Sequence, residues 1–220
     1  MGASGILIGG DFRHIPVTSS LKENELYTRS GADSKVESAI FFNAQGEPIT
    51  GFIGDAHSVH IDPRYLDIPG GIMTHNHPDN DFGGTLSMQD LKVFSKSQLG
   101  EIRAISEQGQ AYSVKAGPNA DRKALERWVN QYQKIMQSNF KRSYDSAYKQ
   151  ATTPLKSGPH KGEIKLVNRR TGKVVYRQPM SDAQAARYAR QYSVGAFDRM
   201  YQKNLKQFGF EYKSTKSKNY

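Results

Sequence analysis

The feature that most constrains the fold is a change of hydrophobic period near residues 117–119, Gly-Pro-Asn. Before it, short β-rich runs alternate with turn residues, a pattern typical of strands and hairpins. After it, from Asp121 to about Gln150, apolar side chains recur with the roughly 3.6-residue period of a helix. A chain with both patterns, the strands first, is predicted to form an α+β unit followed by a helical extension.

Residues 35–117 contain the elements of the compact α+β unit. KVESAIFFNAQGEPITGFIG predicts a hairpin that turns at 43–46, and EIRAISEQGQAYSVKAG predicts another that turns at 107–109. Between them, HSVHIDP predicts a short strand or a connection. YLDIPGGIMTHNHP predicts a strand that ends at Pro78, since proline cannot donate to a sheet ladder. A loop over 79–85 then leads to a helix from Ser87 to about Gln98.

The flanking segments have different characters. Residues 1–34 are expected to be irregular, and 118–220 are expected to form a basic helical extension. Within the extension, the linker TTPLKSGPHKG follows the long helix, a hairpin is predicted at about 162–179, and a last helix runs from Ser181 to about Phe208. The Trp and Tyr stripe of the long helix predicts a packing face, against the last helix or a partner chain. The final YKSTKSKNY has the composition of a mobile tail.

Composition narrows the classes of protein to which the chain can belong. Cysteine is absent, which excludes disulfides and any Cys-ligated zinc site. No apolar run approaches the ~20 residues that span a bilayer, and the first residues lack the pattern of a secretory signal. We therefore expect a protein that works inside a cell, without a membrane.

The positive charge is unevenly distributed along the chain. Residues 1–120 contain 9 Lys and Arg against 14 Asp and Glu, whereas residues 121–220 contain 22 against 7. This asymmetry indicates a basic arm that contacts nucleic acid or an acidic partner protein, although a merely solvated basic surface would have the same composition. The candidate contact residues are Lys141, Arg142, Lys165, Arg169, Arg170 and Lys173.

The sequence GGIMTHNHPDNDFGGTLSMQDL contains the strongest chemical signal. Residues two apart in a strand point to the same side, so His75 and His77 are expected to present both imidazoles to one point. Neutral imidazole is a good zinc ligand, and Asp90 in the first turn of the next helix is a candidate third ligand. The alternative is plainer: two surface histidines, and a capping box formed by Ser87 and Asp90.

The order His-x-His followed by Ser-x-x-Asp resembles the motif of the JAMM/MPN+ metalloproteases (JAB domain), and His-Asn-His-Pro is the form found in RadC-like proteins. The resemblance covers residues 35–117. It implies a JAB-like mixed sheet with a flanking helix and zinc bound by His75, His77 and Asp90. It further implies that Glu37 is the general base and that Ser87 helps to hold the oxyanion or the water. The implied substrate is an amide or isopeptide bond in a protein or peptide.

Two features leave alternatives to these assignments. Nine residues separate the second histidine from the serine, a longer stretch than is usual in the family, and this loop contains Asp79 and Asp81 as rival ligands. Glu47 is likewise a rival of Glu37 for the role of base.

A related resemblance bears on biological context. The same segment is similar to domains of bacteriophage head-morphogenesis proteins and of bacterial polymorphic toxins. It implies a location in the host cytoplasm or in a phage virion, with DNA or other virion proteins as partners. The sequence therefore leaves two further hypotheses: a non-enzymatic virion protein with a JAB-like fold, and a metal-dependent nuclease. The nuclease ranks last because the tightly spaced His-Asn-His lacks the ββα context of such enzymes.

Overall fold

The computed structural model describes residues 5–20, 22–25, 27–28, 35–78, 85–106, 110–167 and 171–216. The fold is α+β, as predicted. The strands are β1 (Gly5–Ile8), β2 (Arg13–Ile15), β3 (Ser38–Phe42), β4 (Pro48–Ile53), β5 (Ser58–Ile61), β6 (Ile72–His77), β7 (Glu101–Ser106), β8 (Gln110–Ala116), β9 (Ile164–Val167), β10 (Val174–Arg177) and β11 (Phe210–Lys216). The helices are α1 (Met88–Ser95), α2 (Arg122–Thr152) and α3 (Asp182–Gln207), and a 3-10 turn spans Pro63–Asp67.

A seven-stranded mixed sheet in the order β11-β8-β7-β6-β3-β4-β2 forms the centre of the fold. Among the described strands of this sheet, β6 and β7 pair in parallel and the other neighbours pair antiparallel. Separately, β1 pairs with β5 in parallel, and β9 pairs with β10 in an antiparallel hairpin. The segment predicted to be irregular, residues 1–34, thus contributes two strands, and residues 22–25 and 27–28 are helical.

Turn chemistry explains the first hairpin, which joins β3 to β4 as predicted. The Asn43 side-chain oxygen accepts hydrogen bonds from the backbone N–H groups of Gln45 and Glu47, at 3.0 and 2.9 Å. Gly46 has φ +83°, a backbone conformation that glycine adopts without the steric cost of a Cβ atom. The second predicted hairpin is β7–β8, whose turn residues lie outside the described part of the chain.

Strand β6 lies in the middle of the large sheet and ends at His77, directly before Pro78 as predicted. Its last five residues are buried, so both faces of the strand are covered. Because side chains alternate, Met73, His75 and His77 share one face, and Thr74 and Asn76 share the other. The sheet therefore presents two adjacent imidazoles within its interior.

The chain forms two compact units, residues 1–133 with 198–220, and residues 134–197. This division differs from the predicted boundary at residue 118. In the first unit, the start of α2 buries Leu125 and Val129 completely, and the Trp128 ring lies 6.1 Å from Tyr201 and 6.2 Å from Phe208. The aromatic stripe of the long helix thus packs against the last helix, one of the two predicted arrangements.

The predicted mobile tail, residues 212–220, is wrong for residues 212–216, which belong to the edge strand β11; this strand pairs along its whole length with β8. Phe210 and Tyr212 are only 3% and 8% exposed, whereas Glu211, Lys213 and Thr215, which alternate with them, are exposed. Gly209 makes the turn from α3 into the strand at φ +79°, and a Cβ atom there would lie 2.7 Å from the Asn119 carbonyl oxygen. Because this segment is mostly polar, its sequence did not indicate a strand with one buried face.

No helix in the residues that the structure describes has both the length and the apolar character that crossing a bilayer requires.

We predict that Phe210→Ala lowers the free energy of unfolding by about 3 kcal/mol, because it removes a buried ring that packs 5.8 Å from Phe94. The matched control is Lys213→Ala on the exposed face of the same strand, which we expect to change stability by less than about 0.5 kcal/mol. Urea unfolding followed by circular dichroism measures both. An equally small effect of the two variants would restore the mobile-tail interpretation.

Candidate metal centre

Three buried side chains, His75, His77 and Asp90, converge in the first unit and could hold a metal ion. The Nε2 atoms of the two histidines lie 2.9 Å apart, and each lies 3.2 Å from Oδ2 of Asp90. The structure thus brings together the three ligands predicted from the sequence. All three side chains are at most 1% exposed.

Hydrogen bonding alone satisfies this triangle poorly. If both Nε2 atoms carried a hydrogen for the Asp90 carboxylate, the two N–H groups would face each other across 2.9 Å. If one nitrogen is unprotonated, its lone pair faces the carboxylate oxygen instead. A cation at the centre removes both conflicts, since all three atoms then direct lone pairs toward it. The other carboxylate oxygen, Oδ1, is buried with no hydrogen-bond partner among the described residues.

The electrostatics of the cluster keep Asp90 ionised. Burial by itself would raise the pKa of this carboxyl, but the charge and hydrogen bond of His75, together with those of His77, hold the pKa well below its usual range. For His77, burial and the neighbouring charges each shift the pKa in the direction opposite to their effect on Asp90. Burial would lower its pKa, but its hydrogen bond to Asp90 and the charges of Asp90 and Glu37 raise the pKa above the usual value. Such a site concentrates negative charge beside two imidazoles, which favours a bound cation.

Asp90 is positioned by the start of α1. Ser87 is the N-cap residue, and its Oγ accepts a hydrogen bond from the Asp90 backbone N–H at 3.1 Å. In return, Asp90 Oδ2 accepts one from the Ser87 backbone N–H at 2.7 Å, which completes a capping box. The two interpretations of Ser-x-x-Asp are therefore compatible, because the oxygen that caps the helix is the one nearest to both histidines.

Glu37 lies on the same face of the sheet as the histidines. Ala39 pairs with His75 at one end of the antiparallel β3–β6 ladder. If this register is continued by two residues, Glu37, which directly precedes β3, aligns with His77. Glu37 is completely buried, and its charge contributes to the raised pKa of His77. Its rival Glu47 is exposed in the β3–β4 turn, where it accepts a hydrogen bond from Asn43.

Asn76 holds the backbone around Glu37. Its side-chain oxygen accepts hydrogen bonds from the backbone N–H and the hydroxyl of Ser38, at 2.7 and 2.6 Å. Its side-chain nitrogen donates to the Val36 carbonyl at 2.7 Å. The asparagine between the two histidines, which the sequence places on the opposite face, thus fixes the residues on either side of the candidate base.

The remaining predicted residues are dispersed or undescribed. The rival ligands Asp79 and Asp81 lie outside the described residues, as do Arg169 and Arg170. The other predicted contact residues of the basic half are exposed and belong to the second unit: Lys141, Arg142, Lys165 and Lys173.

Residues from the C-terminal part of the first unit brace the segment that carries Ser87 and Asp90. The hydroxyl of Tyr201 on α3 donates to the Leu86 carbonyl at 2.8 Å. The hydroxyl of Tyr212 on β11 donates to Asp198 at 2.6 Å and lies 3.4 Å from the Thr85 hydroxyl oxygen. The sequence did not predict these contacts. Nine of the twelve tyrosines follow residue 121, but that enrichment alone indicates no particular partner.

The nearness of Tyr201 to the cluster is also electrostatic. Burial, followed by the charge of Asp90, raises the pKa of the Tyr201 phenol above its usual range. The phenol is therefore neutral and available as a donor beside the ligand-bearing helix.

We predict that the purified protein binds one divalent metal ion per chain, and that His77→Gln and Asp90→Asn each abolish stoichiometric binding. The expected loss of affinity exceeds the ~100-fold that an outer hydrogen-bond partner can contribute, since each change removes a direct ligand. Elemental analysis and calorimetric titration measure the binding. His57→Ala, which removes an exposed histidine, is the control and should bind normally. Absence of metal from the wild type would contradict the prediction.

We predict that Tyr201→Phe weakens metal binding by about 10-fold, because the buried Leu86 carbonyl loses its partner and the segment before the Ser87 cap loosens. Tyr132→Phe on α2 makes the same chemical change away from the cluster and should leave the affinity unchanged. Calorimetric titration of the folded variants compares the two. Equal affinities would show that the C-terminal bracing does not affect the ligands.

Comparison of the chain with protein-family models, with curated proteins and with solved structures found no match. What the cluster can do is therefore inferred from its own residues and geometry.

Proposed function

We propose that the protein is a zinc-dependent hydrolase of amide or isopeptide bonds with a JAMM-type site. The observation that carries the proposal is the His75–His77–Asp90 triangle, whose ligand atoms are 2.9 to 3.2 Å apart. Zinc–nitrogen bonds of about 2.05 Å in a tetrahedron imply ligand separations of about 3.3 Å, close to these values. Two imidazoles and a carboxylate without cysteine form a ligand set typical of catalytic zinc, which leaves a fourth position for water or substrate.

The residues around the triangle have complementary roles in this proposal. Bound zinc supplies an acidified water and polarises the substrate carbonyl. Glu37 accepts a proton from the attacking water and then delivers it to the leaving amine nitrogen. This role is supported by its burial beside His77 and by Asn76, which holds its backbone. The Ser87 hydroxyl accepts a hydrogen bond from the Asp90 N–H in the capping box, and its own hydrogen is assigned to the developing oxyanion.

The proposed substrate class is based on the resemblance to the JAMM/MPN+ family and not on a substrate-binding groove. Within the JAMM/MPN+ family the reaction is cleavage of an amide, including isopeptide bonds to lysine. We therefore propose a protein or peptide substrate, cleaved in the host cytoplasm or in a phage particle.

One observation favours a second candidate, a non-enzymatic virion or head-morphogenesis protein in which the metal stabilises the fold. The cluster and Glu37 are completely or almost completely buried, as structural metal sites commonly are. In that case metal removal lowers the unfolding temperature, but the loaded protein cleaves none of the probes described below.

We predict that Glu37→Gln retains stoichiometric zinc but reduces amide cleavage by at least ~100-fold, because the amide side chain cannot accept the proton of water. Zinc content is measured together with cleavage of a quenched peptide library and of an ε-linked lysine isopeptide. Glu47→Gln makes the same change at an exposed turn and should retain both zinc and activity.

Two results would contradict the enzymatic proposal. Undiminished cleavage by Glu37→Gln would remove the assigned base. Absence of cleavage by zinc-loaded wild type on every probe, with a raised unfolding temperature, would favour the structural candidate.

A further inference from the structure

The whole net positive charge of the chain lies in one of its two compact units. Residues 134–197 contain thirteen lysines and arginines against three acidic residues, a net charge of +10. This equals the net charge of the whole chain, so the unit with the metal centre is balanced, with eighteen basic and eighteen acidic residues. The sequence predicted a basic second half; the fold confines the excess to 64 residues.

The three acidic residues of this unit each have a partner within it. Asp145 accepts from Lys141 at 2.8 Å. Glu163 lies 2.7 Å from the His160 ring nitrogen, and Asp182 accepts from the Tyr148 hydroxyl at 2.8 Å. Only one of the three is therefore paired with a lysine or arginine in these contacts, and the positive charge of the unit stays largely uncompensated.

On α2, exposed basic side chains lie opposite the buried stripe of the helix. Met136 and Phe140 are buried with Ala147 and Ala151 on one stripe of the helix. Counted at 100° per residue, Arg142 and Lys149 project from the opposite side, and both are exposed. Where the structure describes side chains of this unit, the exposed lysines and arginines are Lys141, Arg142, Lys149, Lys156, Lys161, Lys165, Lys173, Arg177 and Arg187.

The β9–β10 hairpin is a basic ribbon with exposed apolar side chains. Val174, Val175 and Tyr176 are 40%, 45% and 36% exposed, and Tyr176 is paired across the ribbon with Lys165. The Tyr176 ring stacks on His160, with centroids 3.6 Å apart and planes at 5°. Solubility explains the charges but not three adjacent exposed apolar residues among them.

We propose that this unit, residues 134–197, binds double-helical nucleic acid. The exposed lysines and arginines contact phosphates, and the β9–β10 ribbon enters the major groove, which is wide enough for a two-stranded β-ribbon. Val174 and Tyr176, which share one face of the ribbon, then contact base edges and thymine methyl groups. The inference is independent of the proposed hydrolase, since it uses no residue of the metal centre.

The composition of the surface favours nucleic acid over an acidic protein. Seven of the thirteen basic residues are lysines, which protein–protein interfaces tend to exclude. The cations are also spread over both a helix and a ribbon, which suits the regular phosphate backbone rather than a small acidic patch.

The test uses the full chain and a fluorescein-labelled duplex about three helical turns long, with anisotropy measured from about 50 to 200 mM salt. We expect the logarithm of the binding constant to fall linearly with the logarithm of the salt concentration, with a slope of about −0.9 for each phosphate contact. The variant K165E/K173E/R177E should bind at least ~10-fold more weakly. Its salt dependence should be less steep, by the contribution of about three phosphate contacts. K123E/R127E/K203E makes the same charge change at exposed residues of the first unit and should bind normally.

A second variant, K141E/R142E/K149E, tests the outer face of α2 if the ribbon variant does not fold, and circular dichroism monitors folding of each. Weakening by this variant supports the proposal. Equal weakening by the first-unit control would overturn it, because only net charge would matter. Poly-L-glutamate that binds as tightly as duplex at equal charge would favour an acidic protein partner instead. Tighter binding of single-stranded DNA would exclude the groove-bound ribbon.

Discussion

The candidate site depends on the register between β3 and β6 at the centre of the sheet. With Ala39 opposite His75, both imidazoles lie on the face of the sheet that meets Asp90 of α1. A slip of one residue would turn them all to the other face, since side chains alternate along a strand. Asn76 opposes such a slip, because its side chain bonds the backbone at Val36 and Ser38 and would lose buried hydrogen bonds in any other register.

Around this register, single residues serve both the fold and the site. Asp90 completes the capping box in the first turn of α1 and also lies within 3.2 Å of both histidines, so the helix start determines the ligand position. The segment before the cap is held by Tyr201 and Tyr212, from elements more than a hundred residues later in the chain. The end of α3 and the strand β11 therefore belong to the metal-centre unit rather than to a separate extension.

Charge follows the same division into units. The unit with the metal centre has no net charge, and the excess of +10 lies in residues 134–197. Such a concentration gives the second unit a long-range attraction for polyanions. The proposed hydrolysis and the proposed nucleic-acid binding therefore depend on different sets of residues.

Local patterns were enough to predict the hairpins, the end of β6 before Pro78, the Ser87 cap and the His-x-His pair, because turn chemistry, side-chain period and capping act over a few residues. They predicted α2 well for the same reason. Local patterns could not identify β11, since its lysines and serines resemble a mobile tail until the chain returns to pair Phe210 with Ala116. Nor could they decide between Glu37 and Glu47, which differ in burial only because of strand register. The sequence by itself determined which side chains could bind a metal. The tertiary structure decided which of them meet, because contacts between distant segments bury one glutamate and expose the other.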